Sequence, residues 1–97
     1  MKTGIEIIAE ERKRQIEIEG WDSEHDDTGN NDEQLVMAAI TYAMPPDYRE
    51  FSFDVRNTWP WDMKWWKPTP EDRVRELAKA GALIAAEIDR LKRINKQ

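Results

Sequence analysis

Cysteine is absent from the sequence, and so is any long run of apolar residues. Without cysteine no disulfide can stabilise the fold, which is more typical of cytosolic proteins than of small secreted scaffolds. No stretch approaches the roughly 18 apolar residues that a membrane span needs, and the first residues lack the apolar core of a signal peptide. We therefore expect a cytoplasmic protein without a membrane partner.

The chain is also short and has no basic excess, since its 97 residues carry a net charge of −5 at pH 7. An acidic balance disfavours binding to DNA or RNA polymers, which need a basic surface. A chain of this length predicts a single domain, residues 1–97, with a small core. Because small cores are often completed by a partner subunit, we expect a homo-oligomer.

A helical pattern of apolar residues is clear in three segments. The first helix is predicted over about 3–19. Thr3 and Glu6 have the spacing of a capping box, in which each residue's side chain accepts a hydrogen bond from the other's backbone N–H. Gly20 is well placed to end this helix.

The second helix is predicted over about 32–44 and is apolar on most sides, which is typical of a buried helix. The third is predicted over about 70–94, where Thr69 followed by proline indicates a helix start. Gly81 lies in the middle of this last helix, where glycine costs on the order of 1 kcal/mol relative to alanine. Its presence predicts the close approach of another helix.

Two connections interrupt the helical pattern. Residues 21–31 are polar and without periodicity, which predicts a loop. Residues 45–68 contain four of the five tryptophans, and residues 51–55 alternate between apolar and polar as a short strand would. The predicted fold is therefore all-α: a small bundle of three main helices with a Trp-rich connection, completed by oligomerisation.

Several motifs follow one another in a particular order, namely EERKRQ (10–15), EGW (19–21), EHDD (24–27), QLVMAAITYA (34–43) and RELAKAGALIAAEIDRL (75–91). In this order they resemble the small phage and prophage proteins of the MazG-like type. The resemblance implies an all-α bundle that forms a dimer or higher oligomer in a bacterial host cell. In active members, acidic pairs bind magnesium, and a nucleoside triphosphate is cleaved to a monophosphate and pyrophosphate.

The acidic pairs of that family are incomplete in this chain. The family has an E-x-x-E pair on one helix and an E-x-x-D pair on the next. Here Glu33 is followed three residues later by Val36, and Glu76 by Lys79. Because magnesium prefers several oxygen ligands, two half-pairs supply too few, and Lys79 would repel the ion. The departure favours a protein that binds nucleotides without hydrolysing them.

A rearranged Mg²⁺ or Mn²⁺ site is one further hypothesis, with the candidate ligands Glu11, Asp26, Asp27, Glu33 and Glu76. A calcium-binding loop beginning at Asp22 is disfavoured, because Asp27 stands where the sharp turn needs glycine. The alternative is a solvated loop that caps the second helix. His25 is the only histidine, and without a serine or cysteine partner it favours a structural role over acid–base catalysis.

The candidate ligand-binding residues combine cations, indoles and other polar groups: Arg12, Arg14, Gln15, Trp21, His25, Lys64, Trp65, Trp66 and Lys67. Indole faces can stack on a nucleobase while neighbouring cations bind phosphates. Tryptophans also fill small cores or line subunit interfaces. Arg12 can instead pair with Asp26 or Asp27 in a structural salt bridge.

Together these features predict a phage- or prophage-type accessory protein that binds a nucleotide or a nucleotide-derived signal, for example a cyclic oligonucleotide, without hydrolysis. The first alternative is a divergent Mg-dependent nucleoside triphosphate pyrophosphohydrolase. The second is a protein-interaction module that docks through its Trp-rich loop.

Overall fold

The computed structural model describes residues 1–95. In this part of the chain the elements are α1 (Gly4–Glu17), α2 (Ser23–Gly29), α3 (Gln34–Ala43), α4 (Pro46–Phe51), the 3₁₀ helices Val55–Asn57 and Met63–Trp65, and α5 (Arg73–Asn95). No strand occurs there, and helix accounts for 69% of the fold, so the all-α prediction is confirmed. None of these helices combines the length and the apolarity needed to cross a membrane.

The first helix begins as its sequence predicts. Thr3 Oγ1 accepts a hydrogen bond from the Glu6 N–H at 3.2 Å, and Glu6 Oε1 accepts one from the Thr3 N–H at 2.8 Å. This capping box satisfies N–H groups that have no carbonyl partner at a helix start. α1 ends at Glu17, and Gly20 then turns the chain with a φ of 76°, a conformation that favours glycine.

The polar connection after α1 contains a helix that its composition does not indicate. α2 has seven residues, and Asp22 caps it by accepting a hydrogen bond from the His25 N–H at 3.0 Å. The prediction of a loop over residues 21–31 is therefore wrong for Ser23–Gly29. The helix has no apolar stripe because the residue it buries completely is a carboxylate, Asp26.

The connection 45–68 is partly helical as well. Pro46 occupies the first turn of α4, where the missing N–H of proline is not needed. The prolines therefore begin a new helix in addition to ending α3. The short strand predicted over residues 51–55 is wrong, because Phe51 ends α4 and Val55 begins a 3₁₀ helix.

The last helix, α5, contacts α1, α2 and α3 and is the central helix of the fold. It begins at Arg73, three residues later than predicted. Asp72 accepts a hydrogen bond from the Arg75 N–H at 3.1 Å and so takes the capping role predicted for Thr69.

The apolar core is small and rich in alanine, and its buried members are Leu35, Ala38, Ala39, Tyr42, Trp59, Ala80, Leu83 and Ala86. Small side chains let the helices approach one another closely. At Gly81 a Cβ atom would lie 2.6 Å from Ile8 Cδ1, well inside van der Waals contact. The close approach that this mid-helix glycine predicted is therefore made by α1.

Glu76 is a buried carboxylate with no exposed surface. Its Oε2 accepts hydrogen bonds from Arg49 Nη2 at 2.8 Å and from the Thr69 N–H at 3.0 Å, and its Oε1 accepts one from Arg73 Nη1 at 3.0 Å. Both arginines also donate to the Tyr42 carbonyl near the end of α3, at 3.3 and 2.9 Å. One carboxylate thus joins the end of α3 to α4 and to the start of α5.

Glu76→Ala is expected to lower the free energy of unfolding by about 3–5 kcal/mol, because it leaves Arg49 buried without its carboxylate partner. Urea denaturation followed by far-ultraviolet circular dichroism measures this change. As a control, Arg56→Ala removes the exposed pair with Asp54 but keeps the Asp54 cap, and it should leave the denaturation midpoint unchanged. Equal midpoints for Glu76→Ala and the wild-type protein would contradict the structural role of Glu76.

Candidate functional site

A cavity of about 750 Å³ lies where α1, α3 and α5 meet the Trp-rich connection. This volume falls within the range of about 300–1,000 Å³ that is usual for small-molecule sites. Much of its wall is aromatic, and the rings that line it are Trp21, Tyr42, Trp59, Trp61 and Trp65. Its size and its lining make this cavity the candidate functional site.

Two of these tryptophans are fixed by their neighbours. Trp59 packs edge-on against Trp61, with ring centroids 5.2 Å apart, and against Tyr42, with centroids 5.5 Å apart. The Trp59 Nε1–H donates to the Asp62 carbonyl at 3.1 Å, and the Trp61 Nε1–H donates to Asn30 Oδ1 at 3.2 Å. These contacts give the cavity a rigid aromatic wall.

The three tryptophans predicted to stack on a base occupy different positions. Trp21 and Trp65 line the cavity, and Trp65 is 59% exposed. Trp66 packs against Tyr42, with ring centroids 4.8 Å apart, and the Arg49 guanidinium lies over its ring. Trp66 therefore does not line the cavity. It packs against the core, and core packing is the alternative role considered for the tryptophans.

Arg14 lines the cavity, but its charge is already balanced by two carboxylates. Its Nε and Nη2 donate to the Glu11 carboxylate at 2.9 and 2.8 Å, and its Nη1 donates to Glu19 Oε1 at 3.0 Å. The hydrogen bonds to Glu11 are the main reason that the pKa of Arg14 lies above its ordinary value. Any phosphate in the cavity would share Arg14 with both acids.

Two lysines supply the positive charge that the cavity leaves unbalanced. Neither Lys67 nor Lys79 forms an ion pair within residues 1–95. Lys79 Nζ lies 5.2 Å from the Tyr42 ring centroid and donates to the Lys67 carbonyl at 3.3 Å. Burial lowers the pKa of Lys79 below its ordinary value. Lys64 lies over the Trp65 ring instead and does not line the cavity.

Gln15 adds a buried polar group to the cavity wall, with only 1% of its surface exposed. Its Nε2–H donates to Glu11 Oε2 at 3.5 Å, whereas its Oε1 has no hydrogen-bond donor. A buried acceptor without a donor costs about 1–3 kcal/mol. A ligand N–H group that reached this oxygen would remove that cost. His25 also lines the cavity, with Nδ1 3.5 Å from Asp26 Oδ1.

Arg12 lies outside the cavity lining and forms the salt bridge considered as its alternative role. Its Nη2 lies 3.4 Å from Asp26 Oδ2, and its Nη1 donates to the Trp21 carbonyl at 3.1 Å. Burial raises the pKa of Asp26, while the Arg12 charge acts in the opposite direction. Arg12 thus holds the backbone of Trp21 and positions that indole at the cavity.

The five carboxylates considered as metal ligands do not come together. Glu11, Asp26, Asp27 and Glu76 are each paired with an arginine. Glu33 precedes α3 in a left-handed backbone conformation. Within residues 1–95 no group of three or more histidine or acidic side chains is placed to hold a metal ion. The candidate Mg²⁺ or Mn²⁺ ligands therefore do not fit a metal site.

Four residues with a clear place in the cavity are absent from the predicted set: Tyr42, Trp59, Trp61 and Lys79. The helical pattern assigns Tyr42 to the buried face of α3 and does not reveal that part of its ring borders a cavity. Lys79 stands out in the sequence only through the resemblance described above, which predicts an acid at this position. Its half-buried position beside an aromatic ring is seen only in the folded chain.

No protein family matches the chain, and no curated protein or solved structure matches it either. The chemistry of the cavity must therefore support any functional assignment. That chemistry consists of indole faces, two cations without a carboxylate partner and one buried acceptor.

Lys79→Met is expected to raise the Tm of the free protein by about 2 °C at pH 7, because a partly buried ammonium loses hydration that methionine does not need. The pKa of Lys79 is lower in the folded than in the unfolded protein, so wild-type stability rises with pH until the unfolded value of 10.5 is passed. Calorimetry should therefore show a smaller difference in Tm between Lys79→Met and the wild-type protein at pH 10 than at pH 7. A difference that stays constant or grows would contradict the effect of burial.

Proposed function

We propose that the cavity binds a nucleotide or a nucleotide-derived signal, such as a cyclic oligonucleotide, without hydrolysing it. The observation that carries this proposal is the combination, in one cavity of about 750 Å³, of the rings of Trp21 and Trp65 with the unpaired cations of Lys67 and Lys79. Indole faces stack on any nucleobase, and lysines bind phosphate as point charges.

The buried acceptor of the cavity adds a second kind of recognition. Gln15 Oε1 has no donor in the protein, and its amide nitrogen is oriented by Glu11. Exocyclic amino groups of nucleobases are hydrogen-bond donors of the type that such an oxygen accepts. A base stacked on Trp21 or Trp65 would meet the apolar part of the wall, and its amino group would reach Gln15 Oε1 after the side chains that cover this oxygen move.

The proposal of binding without hydrolysis is supported by the ion pairs of the acidic side chains. A Mg-dependent pyrophosphohydrolase needs several carboxylates on the ion. Here Glu11 would have to leave Arg14, and Glu76 would have to leave Arg49 and Arg73, before either could bind a metal. Leaving a buried arginine without its carboxylate partner is strongly unfavourable. No arrangement of the described residues favours the hydrolytic alternative.

Docking of another protein through the Trp-rich connection has less support from the packing. Trp59, Trp61 and Trp66 pack against the core or belong to it, and Trp59 is 7% exposed. Trp65 is the tryptophan of this connection with the largest exposure, at 59%. The connection also exposes Tyr48, Phe51 and Met63, none of which lines the cavity, whereas Trp65 does. The exposed indole therefore fits a small ligand better than an extended protein interface.

The biological setting belongs to the same proposal. The motif order resembles MazG-like phage and prophage proteins, and the proposed role is that of an accessory protein in the cytoplasm of a bacterial host cell. Self-association is part of this proposal, because a core of alanines and a few large residues is small for an independent domain.

A thermal-shift screen of mononucleotides, cyclic dinucleotides and cyclic trinucleotides tests the ligand. At 100 times its dissociation constant a ligand stabilises the fold by about 2.7 kcal/mol, which raises Tm by roughly 10–20 °C in a domain of this size. We expect a shift of this kind without added metal and no release of pyrophosphate with magnesium. The absence of a shift across the panel would contradict nucleotide binding, and magnesium-dependent pyrophosphate release would contradict binding without hydrolysis.

Trp65→Leu is expected to weaken binding of the nucleotide found in that screen by about 5- to 50-fold, because stacking on an indole is lost. Isothermal titration calorimetry measures the dissociation constant, and quenching of tryptophan fluorescence should fall in parallel. Tyr48→Leu removes another exposed ring, which stacks on Phe53 away from the cavity, and should leave affinity unchanged. Equal affinities for the wild-type protein and Trp65→Leu would contradict stacking at this residue.

Lys67→Met is expected to weaken the same ligand about 10-fold, because a charge-assisted bond to phosphate is lost. Lys13→Met is the matched control, since Lys13 is an exposed lysine of α1 that does not line the cavity. Its dissociation constant should remain within about twofold of the wild-type value. If both lysine variants lose affinity equally, the effect comes from overall charge and not from the cavity.

A further inference from the structure

One face of α5 is apolar and yet exposed to solvent. Five side chains on this face expose between 41% and 61% of their surface, namely Val74, Leu77, Ile84, Ile88 and Leu91. Together with Gly81 they follow one another in alternating steps of three and four residues. This is the repeat with which two helices pack along a continuous line of contact. We call these six residues the apolar face of α5.

The apolar face continues onto α1. Ile8 lies directly over Gly81, where it fills the gap that the missing side chain would leave. Ile5 precedes Ile8 by three residues, so the two share one side of α1, and Ile5 is 77% exposed. The cavity is bounded by a different side of α5, which carries Lys79 and Leu83.

The size of the apolar face matches what a stable dimer needs. The exposed fractions of its five large side chains correspond to roughly 500 Å² of apolar surface, at the upper end of what monomeric proteins expose in one patch. A standard protein interface buries about 800 Å² on each partner, of which about 60% is apolar. The face supplies about this apolar area, and a polar rim supplies the remainder.

We propose that two copies of this chain associate through the apolar face of α5, with the two helices antiparallel about a twofold axis near Ile84 and with Ile8, which covers Gly81, at the edge of the contact. Packing of side chains with this repeat requires a partner helix of the same repeat and similar length. A second α5 meets both requirements. A twofold contact is also self-complementary, so that one face suffices for both partners.

The antiparallel direction follows from the sequence of the face and from its charges. A twofold axis through the midpoint of the apolar face places Val74 of one copy opposite Leu91 of the other, and Leu77 opposite Ile88. It also brings Glu71, just before α5, towards Lys92 of the other copy. Both residues are exposed, and neither forms an ion pair within residues 1–95. A parallel pair would place like charges and like helix-dipole ends together.

A membrane surface is a poorer occupant of this face. Helices that lie on membranes flank their apolar side with many lysines and arginines, because the lipid surface is negatively charged. This chain has a net charge of −5, and its α5 carries acidic residues as well as basic ones. The inference deepens the self-association included in the proposed function, and it is independent of the ligand.

Sedimentation equilibrium of the full-length protein and of Ile84→Asp tests the interface. We expect a dimer, or a larger even-numbered assembly built from this dimer, and we expect Ile84→Asp to raise the dissociation constant of the pair at least about 100-fold. Ile84 is 47% exposed within one subunit, so the variant should fold, which circular dichroism checks. Phe51→Asp alters an apolar residue of α4 that is 78% exposed and should not change association.

Each outcome separates the interface from the broader proposals. A monomer at every concentration would overturn self-association altogether. An oligomer that survives Ile84→Asp would overturn the α5 interface alone. Neither result would affect nucleotide binding, which the thermal-shift screen measures independently.

Disulfide trapping tests the direction of the helices, because the chain has no cysteine of its own. Glu71→Cys and Lys92→Cys should form a disulfide-linked dimer when the two variants are mixed and oxidised. Neither variant should do so alone, since 21 residues of α5 separate the two positions by roughly 30 Å. A link formed by each variant alone, with none specific to the mixture, would overturn the antiparallel arrangement.

Discussion

Glu76 carries a carboxylate with no access to solvent, and a charge of this kind is tolerated only where partners replace the lost hydration. Arg49 from α4 and Arg73 from the start of α5 supply them, and the Thr69 N–H adds a third donor. Since both arginines also hold the Tyr42 carbonyl, the network sets the distance between the end of α3 and the start of α5. The Trp-rich connection lies between these two points in the chain, so the aromatic wall depends on this carboxylate.

The same network explains why the acidic residues considered as metal ligands are not free to bind a metal ion. An acid that neutralises two arginines is part of the fold and has little left to offer a metal. One turn further along α5, Lys79 borders the cavity beside the Tyr42 ring. A lysine at such a position favours an anion in the cavity over a cation.

Sequence reasoning recovers the parts of the fold whose apolar residues recur with a helical period. α1, α3 and α5 have such patterns, and the capping box of α1 locates its start. α2 is not predicted because its buried residue is the carboxylate of Asp26. This carboxylate can be buried only because Arg12, which is distant in sequence, pairs with it. In the cavity, the sequence identifies Trp65 and Lys67 together with their neighbours Trp66 and Lys64. Irregular backbone has no period, so only the folded chain shows which member of each pair borders the cavity.

α5 is apolar on two sides, whereas a surface helix usually has one apolar side and buries it. The side turned into the protein combines small apolar residues with Glu76 and with the ion pair of Glu87 and Arg90, whose side chains are 4% and 5% exposed. The side turned outward is the apolar face, in which no polar residue interrupts the repeat. Two buried ionic groups give little net stability, so the subunit cannot rely on them in place of apolar burial. The apolar area missing from the core of the single chain is present on its surface, and in the proposed dimer α5 would become a core helix of the pair.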